Sequence, residues 1–111
     1  MNNTDIPQRL LAELTLLRQR LLDALSLSNQ DYHQQLLIQL KVSAPTLWLD
    51  LTANKLGPDY QGLIARLEQL EAAMCQIEIG QYGYCCDCEE KIDEQRLQAD
   101  PASQRCRLCA P

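Results

Sequence analysis

The sequence predicts an all-α fold: an antiparallel helical hairpin followed by a small four-cysteine zinc finger. Leucines recur at alternating spacings of four and three through most of the first eighty residues. Aromatic residues are scarce, with one Trp, four Tyr and no Phe in 111 residues, which suits a helical hairpin better than a sheet or a large core. Two Cys-x-x-Cys pairs stand at the C-terminal end, Cys85/Cys88 and Cys106/Cys109. The expected division is a hairpin over 1–79 and a finger over 80–111.

The first arm begins where Thr4 or Asp5 can cap a helix, with Pro7 tolerated in its opening turn. Leu10, Leu14, Leu17 and Leu21 then form a coiled-coil seam, and Leu11, Leu22 and Leu25 widen it. The phase slips near Ser28-Asn29 and resumes at Tyr32, Leu36 and Leu40. Ser43-Ala44-Pro45 is the predicted turn. The second arm keeps its seam at Leu49, Ala53, Leu56, Tyr60, Leu63, Leu67, Leu70, Met74 and Ile77, and Gly80 is its stop. Gly57-Pro58 interrupts that run, since a mid-helix proline costs about 3 kcal/mol. Interruptions near 28–29 and 57–58 predict a jointed hairpin, and four short helices in a compact bundle are the alternative.

Each Cys-x-x-Cys turn aims two sulfurs at one point, and two such turns complete a tetrahedron around Zn²⁺ at about 2.3 Å. One structural Zn²⁺ on Cys85, Cys88, Cys106 and Cys109 is therefore expected, although iron also occupies four-thiolate sites. Disulfides would need an oxidising compartment, and the N-terminus lacks a secretion signal, so a cytoplasmic location is expected. The segment after Gly80 has too few apolar anchors to order itself without a metal. Cys75 reads as a small helix residue, and Cys86 as a spectator between ligands. A redox exchange between Cys86 and a ligand is the competing role.

The formal charge of −5, with scattered Lys and Arg, disfavours direct nucleic-acid binding and points to a protein partner. No apolar stretch spans a bilayer, so no membrane partner is expected. His33, the single histidine, reads as a surface helical residue, and no catalytic constellation supports an enzyme. Leu47, Trp48 and Leu51 fall off the seam beside the turn, with Asp50 among them. Exposed there, they would contact a partner; folded back, Trp48 would be internal.

The stretch Tyr82-Gly83-Tyr84-Cys85-Cys86-Asp87-Cys88, with Ile92, Arg96-Leu97, Ala99, Pro101, Cys106 and Cys109, resembles the DksA/TraR-type C4 zinc finger. That resemblance implies a non-enzymatic transcription factor that binds RNA polymerase through its secondary channel, with acidic residues at a coiled-coil tip. An acidic rod would suit a basic channel. Three departures accompany the resemblance. The family's Asp-x-x-Asp-x-Ala tip motif is absent from Lys41–Trp48, and Glu89 stands where the family places Gly. No helix follows the finger, as in short members. The alternative function is a zinc-stabilised helical adaptor that self-associates through the first arm, with a monomer favoured for the polymerase reading. A zinc-ribbon nucleic-acid binder is the third class.

Overall fold

A computed structural model describes residues 5–53 and 55–109. The expected cap Thr4 lies outside these residues. Five α-helices occur among them: α1 Asp5–Ser26, α2 Asp31–Lys41, α3 Trp48–Thr52, α4 Gln61–Glu78 and α5 Glu94–Ala99. Short 3₁₀ turns at Pro45–Leu47 and Pro58–Tyr60 precede α3 and α4. In both, proline occupies the first turn, where its missing N–H is no loss. The fold is helical, with four cysteines gathered near its C-terminal end.

The chain forms two compact units, 15–68 and a second made of 1–14 with 69–111. In the first, Leu17, Leu21 and Leu25 of α1 are buried, as are Leu36, Leu37 and Leu40 of α2. Gln34 closes the gap between these helices, donating from Nε2 to the Leu25 and Ser28 carbonyls at 3.1 and 2.7 Å. The Leu25 carbonyl, near the end of α1, also accepts from Ser28 N–H at 3.2 Å. Helix α3 packs on α2.

One expectation fails in this unit. His33 is not on the surface but 4% exposed, and Tyr32 takes the outer position at 47%. The inward face of α2 therefore runs His33, Leu36, Leu37 and Leu40. His33 Nδ1 lies 2.6 Å from Ser28 Oγ, and the Tyr60 ring meets its imidazole edge-on at 5.4 Å. A hydrogen bond and two aromatic neighbours make the imidazole a better core filler than the phenol of Tyr32. Nε2 is buried without a hydrogen-bond partner.

The second arm does break at the expected Gly57-Pro58 interruption, and the break is wider than a kink. Helix α3 ends at Thr52, Ala53 is exposed, and Leu49, Leu56, Tyr60 and Leu63 are half-buried. Leu67 and Leu70 are buried. Loss of helical geometry across Gly57-Pro58 removes the periodicity that a seam requires.

The other unit carries the finger. Ile6, Leu10 and Leu14 of α1 are buried in it, with Leu70 and Ala73 of α4. Charge divides unevenly. Residues 15–68 hold five basic and five acidic side chains, whereas the finger-bearing unit holds five basic and ten acidic. The acidity that seemed to suit a rod in a basic channel thus belongs to the finger-bearing unit, and residues 15–68 are neutral.

Candidate metal centre

The finger starts where α4 stops. Gly80 takes φ 74°, its N–H reaches the Ile77 carbonyl at 3.2 Å, and Gln81 N–H reaches Gln76 at 2.8 Å. This bond pair is a Schellman cap, which needs a left-handed residue that glycine supplies without cost. Gly83, at φ 91°, turns the chain again into a short antiparallel bridge between Tyr84 and Lys91. Ile92 N–H donates to Gly83 and Cys85 N–H to Glu90, at 2.8 and 2.7 Å, framing the first knuckle.

Inside that knuckle, Glu89 N–H donates to the Cys85 carbonyl at 2.9 Å, and Glu89 sits at φ 64°. The backbone at Glu89 is therefore left-handed, the conformation that glycine adopts most freely. The second knuckle closes with Cys109 N–H on the Cys106 carbonyl at 3.1 Å. Cys86 N–H donates to Gln104 at 2.8 Å, tying one knuckle to the other. Between them runs α5, capped by the Asp93 side chain accepting from Gln95 N–H at 3.2 Å. Leu97 of α5 joins Cys85, Ile92 and Cys106 in a small buried cluster against which Tyr82 packs.

Three long-range hydrogen bonds anchor the finger to the helices of its unit. Arg9 Nη2 of α1 donates to the Gln98 carbonyl at 3.0 Å. Gln69 of α4 donates to the Ala102 carbonyl at 3.3 Å, and Gln104 donates back to the Gln69 carbonyl at 2.8 Å. Tyr82 Oη donates to Pro101 at 2.7 Å, and burial raises its phenol above the ordinary range. Tyr84 is more open, at 42% exposure.

The sulfurs of Cys85, Cys88, Cys106 and Cys109 all lie within 4.8 Å of one another. Cys88 and Cys106 approach to 3.6 Å. A tetrahedron with metal–sulfur bonds of about 2.3 Å has edges of roughly 3.8 Å, so this cluster fits one Zn²⁺.

The thiols are already differentiated. Hydrogen bonding from the Cys106 backbone, helped by that of Cys88 and Asp87, outweighs desolvation and brings Cys85 down to about 6. The Cys109 backbone lowers Cys106 in the same way. Cys88 is drawn down by the Glu90 backbone but raised overall by its hydrogen bonds with the Cys106 and Cys85 sulfurs. Cys109 is pushed up, first by its hydrogen bond with Cys106. Cys85 and Cys106 thus release their protons more readily than Cys88 and Cys109, and a cation bound by all four sulfurs displaces the protons that remain.

Cys86 and Cys75 are exposed free thiols outside the four-sulfur cluster. Arg105 forms an ion pair with Asp87 at 3.0 Å on the exposed edge of the first knuckle. Hydrogen bonding to Cys86, then the Asp87 charge, raises its guanidinium further.

The residues expected at a partner surface near the 43–45 turn are not alike. Trp48 is 7% exposed, and its indole N–H points to the Ser43 carbonyl at 3.4 Å, so the internal placement is the one found. Packing of α3 on α2 buries the ring. Leu47 is half exposed, Asp50 is exposed and Leu51 is half-buried. Sequence reasoning missed Ile38 and Val42, which are 65% and 80% exposed. Ile38 lies on the outer face of α2 and Val42 caps that helix four residues on, and the inward phase set by His33 would have revealed them.

Residues 80–111 match the family model of the prokaryotic DksA/TraR C4-type zinc finger. An uncharacterised protein of Aquifex aeolicus (strain VF5) is 45% identical over 47 residues, a stretch covering 42% of this chain. That match spans about a third (32%) of the relative's own length. No solved structure matches the chain significantly. The C-terminal part of this chain is thus similar to the DksA/TraR C4-type finger, and its four-cysteine cluster is able to bind one zinc ion.

Proposed function

We propose that this chain is a non-enzymatic, cytoplasmic regulator that binds RNA polymerase through its secondary channel without specific DNA contact. Zinc on Cys85, Cys88, Cys106 and Cys109 holds the finger. With four thiolates the metal has no open position, so it supplies structure and no Lewis-acid chemistry. The observation that carries the reading is the finger itself, matched over 80–111 and hydrogen-bonded to Arg9 and Gln69 of the neighbouring helices. In this reading residues 1–79 form a helical hairpin that the 80–111 finger fastens at its base. Leu47, Asp50 and Leu51 meet the partner near the 43–45 turn, and Trp48 supports them from inside.

The distal residues would act without the family's acidic pair. Residues 15–68 carry no net charge, so contact there would rest on apolar groups such as Leu47 and Val42. Retention of stoichiometric core polymerase by the tagged, zinc-loaded chain in a pull-down is the expected result. No retention at low salt would remove the reading.

A second reading has one observation in its favour. Leu11 and Leu16 on α1 are each 51% exposed, as a zinc-stabilised adaptor that self-associates would need. Sedimentation separates the two: a monomer at micromolar concentration supports the polymerase reading, and a stable dimer supports the adaptor.

A further inference from the structure

A groove of about 670 Å³ separates the last turn of α4 from the first knuckle, lined by Gln76, Ile79, Gly80, Tyr84, Cys86 and Glu89 among others. Two large apolar side chains at its edge are exposed without need of any fold contact, Ile79 at 64% and Tyr84 at 42%. Charge around it is acidic in balance, although Arg105, ion-paired with Asp87 at 3.0 Å, lies beside Cys86, and Lys91 is bridged to Tyr84. The groove meets the C-terminal end of an 18-residue helix, where backbone carbonyls concentrate partial negative charge. No basic residue offsets this in the last turn, which instead carries exposed Glu78. Glu89 lines the opposite side, and a loaded tetrathiolate centre adds about two negative charges behind it.

Glu89 is also the one non-glycine residue with positive φ among the described residues, at 64°. Glycine would hold that turn without strain, so the chain keeps a carboxylate on the groove wall at a conformational cost. Strain of this kind persists where a side chain is used for something other than the fold.

We infer that this groove docks a basic segment of the partner protein, one that sets an apolar side chain against Ile79 and Tyr84 and a Lys or Arg against Glu89. The inference rests on the polymerase reading and assigns it a second contact, in the finger-bearing unit. An apolar anchor beside an excess of acidic charge gives grip from the anchor and orientation from the charge.

The test uses the full zinc-loaded chain and purified RNA polymerase core, with affinities measured at low and moderate salt. Ile79→Ala and Glu89→Lys should each weaken binding by about tenfold, with zinc content and helicity unchanged. Glu89→Gly is the discriminating variant. It relieves the backbone strain, so it should raise thermal stability, yet binding should fall by about threefold and lose part of its salt dependence. A photo-crosslinker placed at position 79 should capture a polymerase peptide rich in Lys and Arg. Wild-type binding with all three variants within twofold of it, or capture of an acidic peptide, overturns the groove and leaves the polymerase reading standing. Absence of wild-type binding overturns the reading, and the groove assignment with it.

Discussion

A left-handed backbone costs an L-residue with a Cβ about 1 kcal/mol, and Glu89 bears that cost at φ 64°. Glu89→Gly should therefore raise the stability of the zinc-loaded protein by about 1 kcal/mol in thermal or denaturant unfolding. A loss of stability would mean that the Glu89 side chain contributes contacts outweighing the strain. His33 presents the opposite case, a polar side chain kept inside by one good bond. Ser28→Ala removes that bond and leaves Nδ1 buried beside an already unpartnered Nε2. The expected cost is about 1–3 kcal/mol, read from denaturant unfolding followed by circular dichroism. Trp48 is a core residue at 7% exposure, so Trp48→Ala should cost about 3–5 kcal/mol. A fully stable Trp48→Ala would contradict its burial.

At the scale of elements, the finger depends on its sulfurs and on the bonds that fasten it to α1 and α4. The depressed Cys85 pKa favours the thiolate and gives the folded state a stabilising term that is fully present above the ordinary thiol range and lost as pH falls through about 6. Protons compete with metal for the same sulfurs, so zinc affinity should fall steadily between pH 7.5 and 5.5. Competition with a chelator across that range checks it, and a pH-independent affinity would argue against thiolate ligation. Cys106→Ser should lose zinc and also loosen the helix ends bonded through Arg9 and Gln69, seen as faster amide exchange over 5–14 and 69–78. Protection unchanged in those segments would mean that the finger does not fasten them.

Legibility in the sequence follows from what each element's chemistry is tied to. The cysteine spacing and Gly80 are local devices whose roles follow from bond geometry within a few residues, so they can be read directly, whereas Glu89 stands out only through the resemblance to the finger family. Leu10, Leu14, Leu17, Leu21 and Leu25 are buried as their periodicity implies, because α1 is one uninterrupted helix. Periodicity misleads where helices break. After the gap at 27–30 the phase is set by what packs on α2, and the Ser28 and Tyr60 contacts turn His33 inward and Tyr32 outward. The same cause hid Ile38 and Val42. Trp48 could be read either way, since burial depends on α3 packing against α2, a contact made by the turn and not by the seam.

For the whole molecule, the division of charge matters most. A net charge of −5 suggests an acidic body, yet residues 15–68 balance five charges of each sign and the excess lies with the finger. In the proposed contact with polymerase, steering would fall to the finger-bearing unit, and the neutral unit would be left to apolar contact. Association with polymerase should weaken as salt rises, through the finger's carboxylates. Charge reversals in 15–68 such as Asp50→Lys should alter that salt dependence less than Glu89→Lys does.

The central claim is that one metal bound by four sulfurs organises the C-terminal third of this chain. X-ray absorption at the zinc edge on purified protein, with metal content measured on the same sample, addresses it directly. One zinc per chain with four sulfur neighbours at about 2.3 Å is the predicted result. Nitrogen or oxygen in the coordination sphere, metal well below one per chain, or cysteines found paired as disulfides would contradict it.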